Sequence, residues 1–158
     1  MVIKMSKIAV VLIRGLVNLS PDVKKTLELM NLKKKHACVV LDDNEVSKGM
    51  LQKVKDYTTF GSIDEALFVD MLNKRGETIG KTKVSEDKKI DTKAIAKDFF
   101  AGKIKNRDLT LKHNIKPFFR LHPPIGGFEK KGIKMPFAKK GVLGDRKDKM
   151  SELITKML

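Results

Sequence analysis

The chain has no tryptophan, one tyrosine and one cysteine in 158 residues, and only 19 Asp and Glu stand against 34 Lys and Arg. Each scarcity closes a class of function. Tyr57 and eight phenylalanines are too few to line a pocket for a large planar ligand. A lone cysteine excludes an intrachain disulfide and any multi-cysteine zinc site. Cys38 stands in Ala37-Cys38-Val39-Val40-Leu41, where a thiol serves as a small buried hydrophobe. The longest apolar run, Ile8 to Ile13, is far too short to span a bilayer or to form a signal core. A soluble cytoplasmic protein with no membrane partner is therefore expected. His36, His113 and His122 are too scattered for a metal site, and no acid-rich cluster accompanies them, so no metal or cofactor is expected.

What is abundant is positive charge, and its placement is uneven. Residues 101–158 carry 15 Lys and Arg against 5 Asp and Glu, a net of +10; residues 1–100 carry 19 against 14, a net of +5. Between Lys112 and Gly144 there are eight cations and one acid, Glu129, among four of the five prolines, five of the eleven glycines and four of the phenylalanines. Clustered cations in an irregular segment repel one another unless a polyanion neutralises them. Nucleic acid is the first partner this implies.

The hydrophobic fraction of 41% supports a modest core. Lys7 to Arg14 reads as a central strand covered on both faces. Ser20, Pro21 and Asp22 open a helix with Val23, Leu27 and Met30 inward, closed by Lys33-Lys34-Lys35. A second strand spans His36 to Leu41. Asp42, Asp43 or Asn44 caps a second helix with Val46, Met50, Leu51 and Val54 buried, and Thr58-Thr59-Phe60 gives a third strand. The order strand–helix–strand–helix–strand implies a small sheet with both helices on one face. Ser62-Ile63-Asp64-Glu65 has capping-box spacing before a helix with Leu67, Phe68, Met71 and Leu72. A charged loop from Val84 to Lys89 precedes a shorter helix from Thr92. Asp145 caps a last helix whose Met150, Leu153, Ile154 and Met157 form one apolar stripe that docks the chain end on the domain. The basic segment is thus tethered at both ends, as an arm whose removal over residues 115–144 should leave a folded protein.

Gly76-Glu77-Thr78-Ile79-Gly80-Lys81-Thr82 resembles a phosphate-binding loop, but it has three residues between its glycines where the pattern needs four. A turn is the better reading. Gly126-Gly127 after Pro123-Pro124 is a turn signal or a place of close backbone approach to another molecule. Lys116-Pro117-Phe118-Phe119-Arg120-Leu121-His122 can set cations on phosphates and a phenyl ring on an unstacked base, although at least one of the two rings is expected in a core.

Three stretches resemble a known family: Val11-Leu12-Ile13-Arg14-Gly15; Gly49 through Tyr57 with Gly61 and Ile63; and Phe119-Arg120-Leu121-His122-Pro123-Pro124 through Gly126-Gly127-Phe128 to Gly144-Asp145-Arg146 and Leu153-Ile154. In these the chain is similar to large-ribosomal-subunit protein thirty in its long archaeal form, whose eukaryotic relative is large-subunit protein seven. The likeness covers essentially the whole chain; the short bacterial members correspond to about residues 6–60. Phe60 stands where many relatives have Trp, Ile125 where a basic residue often follows the proline pair, and Lys139-Lys140 where glycine is common. The resemblance implies a ferredoxin-like core and a non-enzymatic role in binding and stabilising rRNA. It also implies contact with 23S rRNA, nearness to 5S rRNA, neighbouring large-subunit proteins as partners, and no small-molecule substrate.

The resulting expectation is an α+β protein with a ferredoxin-like βαβαβ core (residues 1–60), a helical extension (61–111), a basic rRNA-binding arm (112–144) and a docking helix (145–158). The core cations expected to meet RNA are Arg14, Lys33, Lys34, Lys35, Lys53 and Lys55. In the arm they are Lys112, Lys116, Arg120, His122, Lys130, Lys131, Lys134, Lys139, Lys140 and Arg146. A duplex-DNA or chromatin-type protein is the alternative, with the helix from Asn44 to Tyr57 and its Lys48, Gln52, Lys53 and Lys55 as a recognition helix.

Overall fold

The apolar run at the start of the chain is continuous because the strand it forms is buried on both faces. The computed structural model describes residues 6–158. In it, β1 (Lys7–Leu12) lies at the centre of a five-stranded sheet with β2 (Ala37–Asp42), β3 (Thr58–Ser62), β4 (Phe119–Arg120) and β5 (Gly144–Asp145), in the order β4-β2-β1-β3-β5. β2 and β3 both run antiparallel to β1, β4 is antiparallel to β2, and β5 is parallel to β3. The central strand therefore splits a β2–helix–β3 crossover, the βαβαβ arrangement of a ferredoxin-like core.

Alternation along β1 sends residues to two separate cores. Val10 and Leu12 face α1 (Pro21–Leu29) and α2 (Glu45–Val54), packing with Leu27, Met30, Val39, Leu51 and Val54. Ala9 and Val11 face the other way, against α3 (Glu65–Arg75), α4 (Thr92–Phe100) and α6 (Met150–Met157), with α5 (Asn106–His113) alongside. Both expected helices lie on one face, and the second face is covered by the rest of the chain. Phe68 and Phe99 stack there at 4.7 Å, and Phe119 meets Phe68 edge-on. Cys38 is fully buried, and burial pushes its thiol up to about 12, which makes it inert.

Several local expectations are corrected. Val46 is 74% exposed, and Ser47 takes the buried position instead. Of the three expected cap candidates Asn44 is the one that caps α2, as the expectation allowed, its Oδ1 accepting from the Ser47 amide at 2.8 Å. Ser62 ends β3 rather than capping α3; its hydroxyl donates to Asp148, and Asp64 occupies the cap position. The three lysines after α1 lie beyond its end, because Asn31 turns left-handed (φ 60°) and Leu32 dives into the core. α5 was not foreseen: it buries only Leu109, so it has no apolar stripe to read. Asp108 accepts from the Lys105 amide at its start, left-handed Asn114 ends it, and Asn106 donates to the Val40 carbonyl (2.7 Å) where the short β4 leaves β2 without a strand partner. Asp145 lies in β5 and accepts from the Lys147 amide, and a 3₁₀ turn at Lys147–Lys149 separates it from α6. The apolar stripe of α6 is fully buried as expected.

Residues 115–144 are not a removable loop. Ile115, Phe119, Leu121, Val142 and Leu143 are all buried in the second core, so deleting the segment would strip the sheet of β4 and expose that core.

Candidate nucleic-acid interface

Strand pairing gathers cations at one end of the sheet. Val11 pairs with Cys38 and Leu12 with Thr58, so β1 finishes where β2 and β3 begin. Arg120 of β4 lies opposite Ala37, and Gly144 of β5 opposite Thr59, at that same end. Arg14, the turn with Lys33, Lys34 and Lys35, the end of α2 with Lys53 and Lys55, and Arg120 therefore share one rim. All but Arg14 are exposed. Arg14 is half-buried, its guanidinium 5.2 Å from the Tyr57 ring and its Nη1 donating to the Asp56 carbonyl.

The arm is laid across this rim. Phe128 stacks on His36 at 6.1 Å, and Ile133 joins Arg14, Val17 and Tyr57 around a hollow of about 390 Å³. The Lys131 amide donates to the Lys140 carbonyl, closing the arm on itself, and Pro136 bridges to Leu143. Lys130, Lys131, Lys134, Lys139 and Lys140 are exposed, with no ion pair among the described residues. At the opposite end of the sheet carboxylates and lysines are mixed, Lys7 paired with Asp42 and Lys48 with Asp43. Asp42 faces Lys7, the Asp43 amide bonds Ser6, and Asp64 and Asp91 border the same groove as Ser6. Among the described residues, cations without an ion pair are thus concentrated at one end of the strands, where their field draws a polyanion.

Two cations expected at the surface are committed inside the chain. Arg146 is only 4% exposed. Its Nη1 and Nη2 form a bidentate pair with Glu129, its Nε donates to Thr59 Oγ1 at 2.8 Å, and its plane lies 4.9 Å from the Phe137 ring. It pins the arm to β3. Burial raises the Glu129 carboxyl, but the Arg146 hydrogen bonds and charge outweigh it and hold the group below the ordinary carboxylate range. Lys116 Nζ donates to Glu77 at 2.9 Å, and this hydrogen bond is the main cause of the lowered Glu77 carboxyl. His122 is held between the carbonyls of Pro123 and Leu158 at 2.7 and 2.8 Å. Lys112 is exposed in the last turn of α5.

Lys149, in the 3₁₀ turn before α6, also reaches over the Phe137 ring at 5.7 Å beside the arm, a contact the sequence did not signal. In the rival recognition helix, Lys48 is tied to Asp43 at 3.3 Å. The loop from Gly76 to Thr82 turns its amides inward: Thr78 donates to Thr82, Ile79 to Asn114 and Lys81 to Thr78, leaving no cradle for a phosphate. Gly126 and Gly127 form a turn at φ 85° and 80°, closed by the Gly127 amide on Pro124. Among the described residues no group of three or more His, Cys, Asp or Glu is placed to hold a metal ion, and no helix is long and apolar enough to cross a membrane.

Comparison with known proteins agrees over most of the chain. Residues 8–58 match the family described as ribosomal protein L30p/L7e. The chain is 39% identical to large ribosomal subunit protein uL30 of Methanococcus vannielii over 155 residues, 95% of this chain and 98% of that protein. It is 42% identical to the uL30 of Staphylothermus marinus, covering 95% and 97% of the two chains. For the uL30 of Nanoarchaeum equitans the identity is 36%, over 98% and 100%.

Proposed function

The chain belongs to the ribosomal protein L30p/L7e family, and from that premise we propose that it binds and stabilises rRNA in the large ribosomal subunit through the cationic end of its sheet. The family is one of structural, non-enzymatic ribosomal proteins, so its place is the cytoplasmic ribosome of an archaeal-type cell. The observation that carries the RNA-binding reading is the convergence of cations that have no ion pair among the described residues: Lys33–Lys35, Lys53, Lys55 and Arg120 on the rim, with the five exposed arm lysines laid beside them. The α/β core (1–60) fixes the rim, residues 61–111 cover its second face, the arm (112–144) adds charge, and the last helix (145–158) anchors the arm. Arg14, Lys112 and His122 complete the contact set, with Lys116 and Arg146 acting from behind as holders of the surface. The partner is 23S rRNA near 5S rRNA, with neighbouring large-subunit proteins alongside.

Each phosphate met by a lysine releases condensed counterions, so binding must weaken steeply with salt. With about six to eight phosphates engaged, affinity for an isolated rRNA fragment drops by about a thousandfold between low and physiological salt. Replacing Lys130, Lys131, Lys134, Lys139 and Lys140 by Gln, which leaves the buried half of the arm intact, should flatten that salt dependence and remove the protein from large-subunit fractions in a sucrose gradient. A full-strength salt slope and normal co-sedimentation in the Gln variant would show that the arm lysines do not carry the binding.

A further inference from the structure

We propose that the small pocket between the α1–β2 turn and β4 takes one unstacked RNA nucleotide, its phosphate on Lys33 and Lys34 and its base against Phe118 and Arg120. The proposal rests on the rRNA-binding reading and specifies what one part of that surface recognises. The pocket measures about 130 Å³ and is lined by Asn31, Lys33, Lys34, Ala37, Phe118 and Arg120. That is close to the space of about 150 Å³ that holds a single benzene ring, and too little for a stacked pair. Three of the six lining residues are cations and none is an acid. None of the three forms an ion pair among the described residues.

The walls are fixed by the fold. Left-handed Asn31 (φ 60°) and His36 (φ 66°) bracket the turn, buried Leu32 anchors it, and the Ala37 amide donates to the Lys34 carbonyl. Ala37 pairs with Arg120 across the strands, and its small side chain leaves the floor open. Phe118 packs on the α1–α2 core with part of its ring uncovered, and the Arg120 guanidinium lies 5.7 Å from the ring centroid. The guanidinium lies over one face of the ring, so its outer plane is the stacking surface for a base whose edge meets the uncovered part of Phe118, and the two lysines supply the phosphate contact. A duplex keeps its bases inside and would offer this pocket nothing but phosphate, so the fit is to a looped or single-stranded nucleotide.

The test uses the full chain with a short labelled single-stranded RNA and a strand of equal length and charge that lacks bases. The wild-type chain should bind the base-bearing strand more tightly. Phe118→Leu, which keeps an apolar group in the core but removes the ring, should weaken that strand by about fivefold to a hundredfold and leave the abasic strand unchanged. Lys34→Gln should weaken both strands alike and lower the salt slope by about 0.7. In the unaltered chain, the Phe118 ring resonances should move on adding the base-bearing strand and stay put with the abasic one. Equal effects of Phe118→Leu on both strands, or unmoved ring resonances, overturn the pocket. So does displacement of the strand by an equal concentration of a nucleoside monophosphate, which would make a free nucleotide the ligand. Salt-insensitive binding, or none to either strand, overturns the RNA reading itself.

Discussion

Val54 and Lys53 are neighbours on α2 with opposite fates, one fully buried against β1 and the other in solvent. Val54→Asp should therefore cost on the order of 4 kcal/mol, since it places a charge among Val10, Leu27 and Leu51. Lys53→Ala should change stability by less than about 0.5 kcal/mol, and comparable denaturant midpoints for the two variants would mean that the faces are reversed. The Arg146–Glu129 pair gives a pH dependence. The Glu129 carboxyl is depressed in the folded state, so its contribution is fully present above the unfolded value of about 4.3 and is lost as pH falls through the lower folded value. Thermal melts between pH 6 and 3 should thus decline more steeply for the native chain than for Glu129→Gln. The variant should be less stable at pH 7 by about 2–3 kcal/mol, because Arg146 keeps its buried charge without a counter-ion. His36 works in the same direction nearer neutrality. Burial, then Lys35 and His122, lower its value, so stability is present above about pH 6.5 and erodes as acid protonates a ring packed on Phe128.

At the scale of elements, the joint between β3 and the start of α6 decides how the chain end is held. Gly61 lies under it. A Cβ at that position would run into the Lys147 carbonyl oxygen and would come within 2.7 Å of the Met150 Cβ. Gly61→Ala must push the 3₁₀ turn away from the sheet and should cost about 1–3 kcal/mol, measured by chemical denaturation. Gly49, on α2, has open space around its Cβ position, so Gly49→Ala should stabilise by about 1 kcal/mol or less and serves as the control. The glycine at 61 was visible in the sequence as part of the resembling stretch, but its reason was not. A close approach between segments 86 residues apart leaves no local signature. Helix α5 differs in that it does have local signals, Asp108 accepting from the Lys105 amide and a left-handed Asn114 ending it, while its tie to β2 through Asn106 is long-range.

At the scale of the whole molecule, cations without an ion pair among the described residues gather where β1 ends, whereas where it starts lysines and carboxylates are paired, Lys7 with Asp42 and Lys48 with Asp43. Composition gave the excess of cations and its concentration in the last third of the chain. It could not give that gathering, which follows from the antiparallel pairing that brings the α1–β2 turn, the end of α2, β4 and β5 to a common rim. The local pattern sufficed for β1, the two helices of the first core and the docking stripe of α6, because each follows from the period of apolar residues along a single element. Family membership too lay in the linear order of residues. Which cations face outward was settled only by packing. Lys131 and Arg146 look alike in sequence, each basic and close to glycine and phenylalanine, yet one is in solvent and the other is clamped by Glu129 and Thr59. Burial of a charge depends on a partner that only the folded chain brings within reach, and that partner lies 17 residues away in one case and 87 in the other.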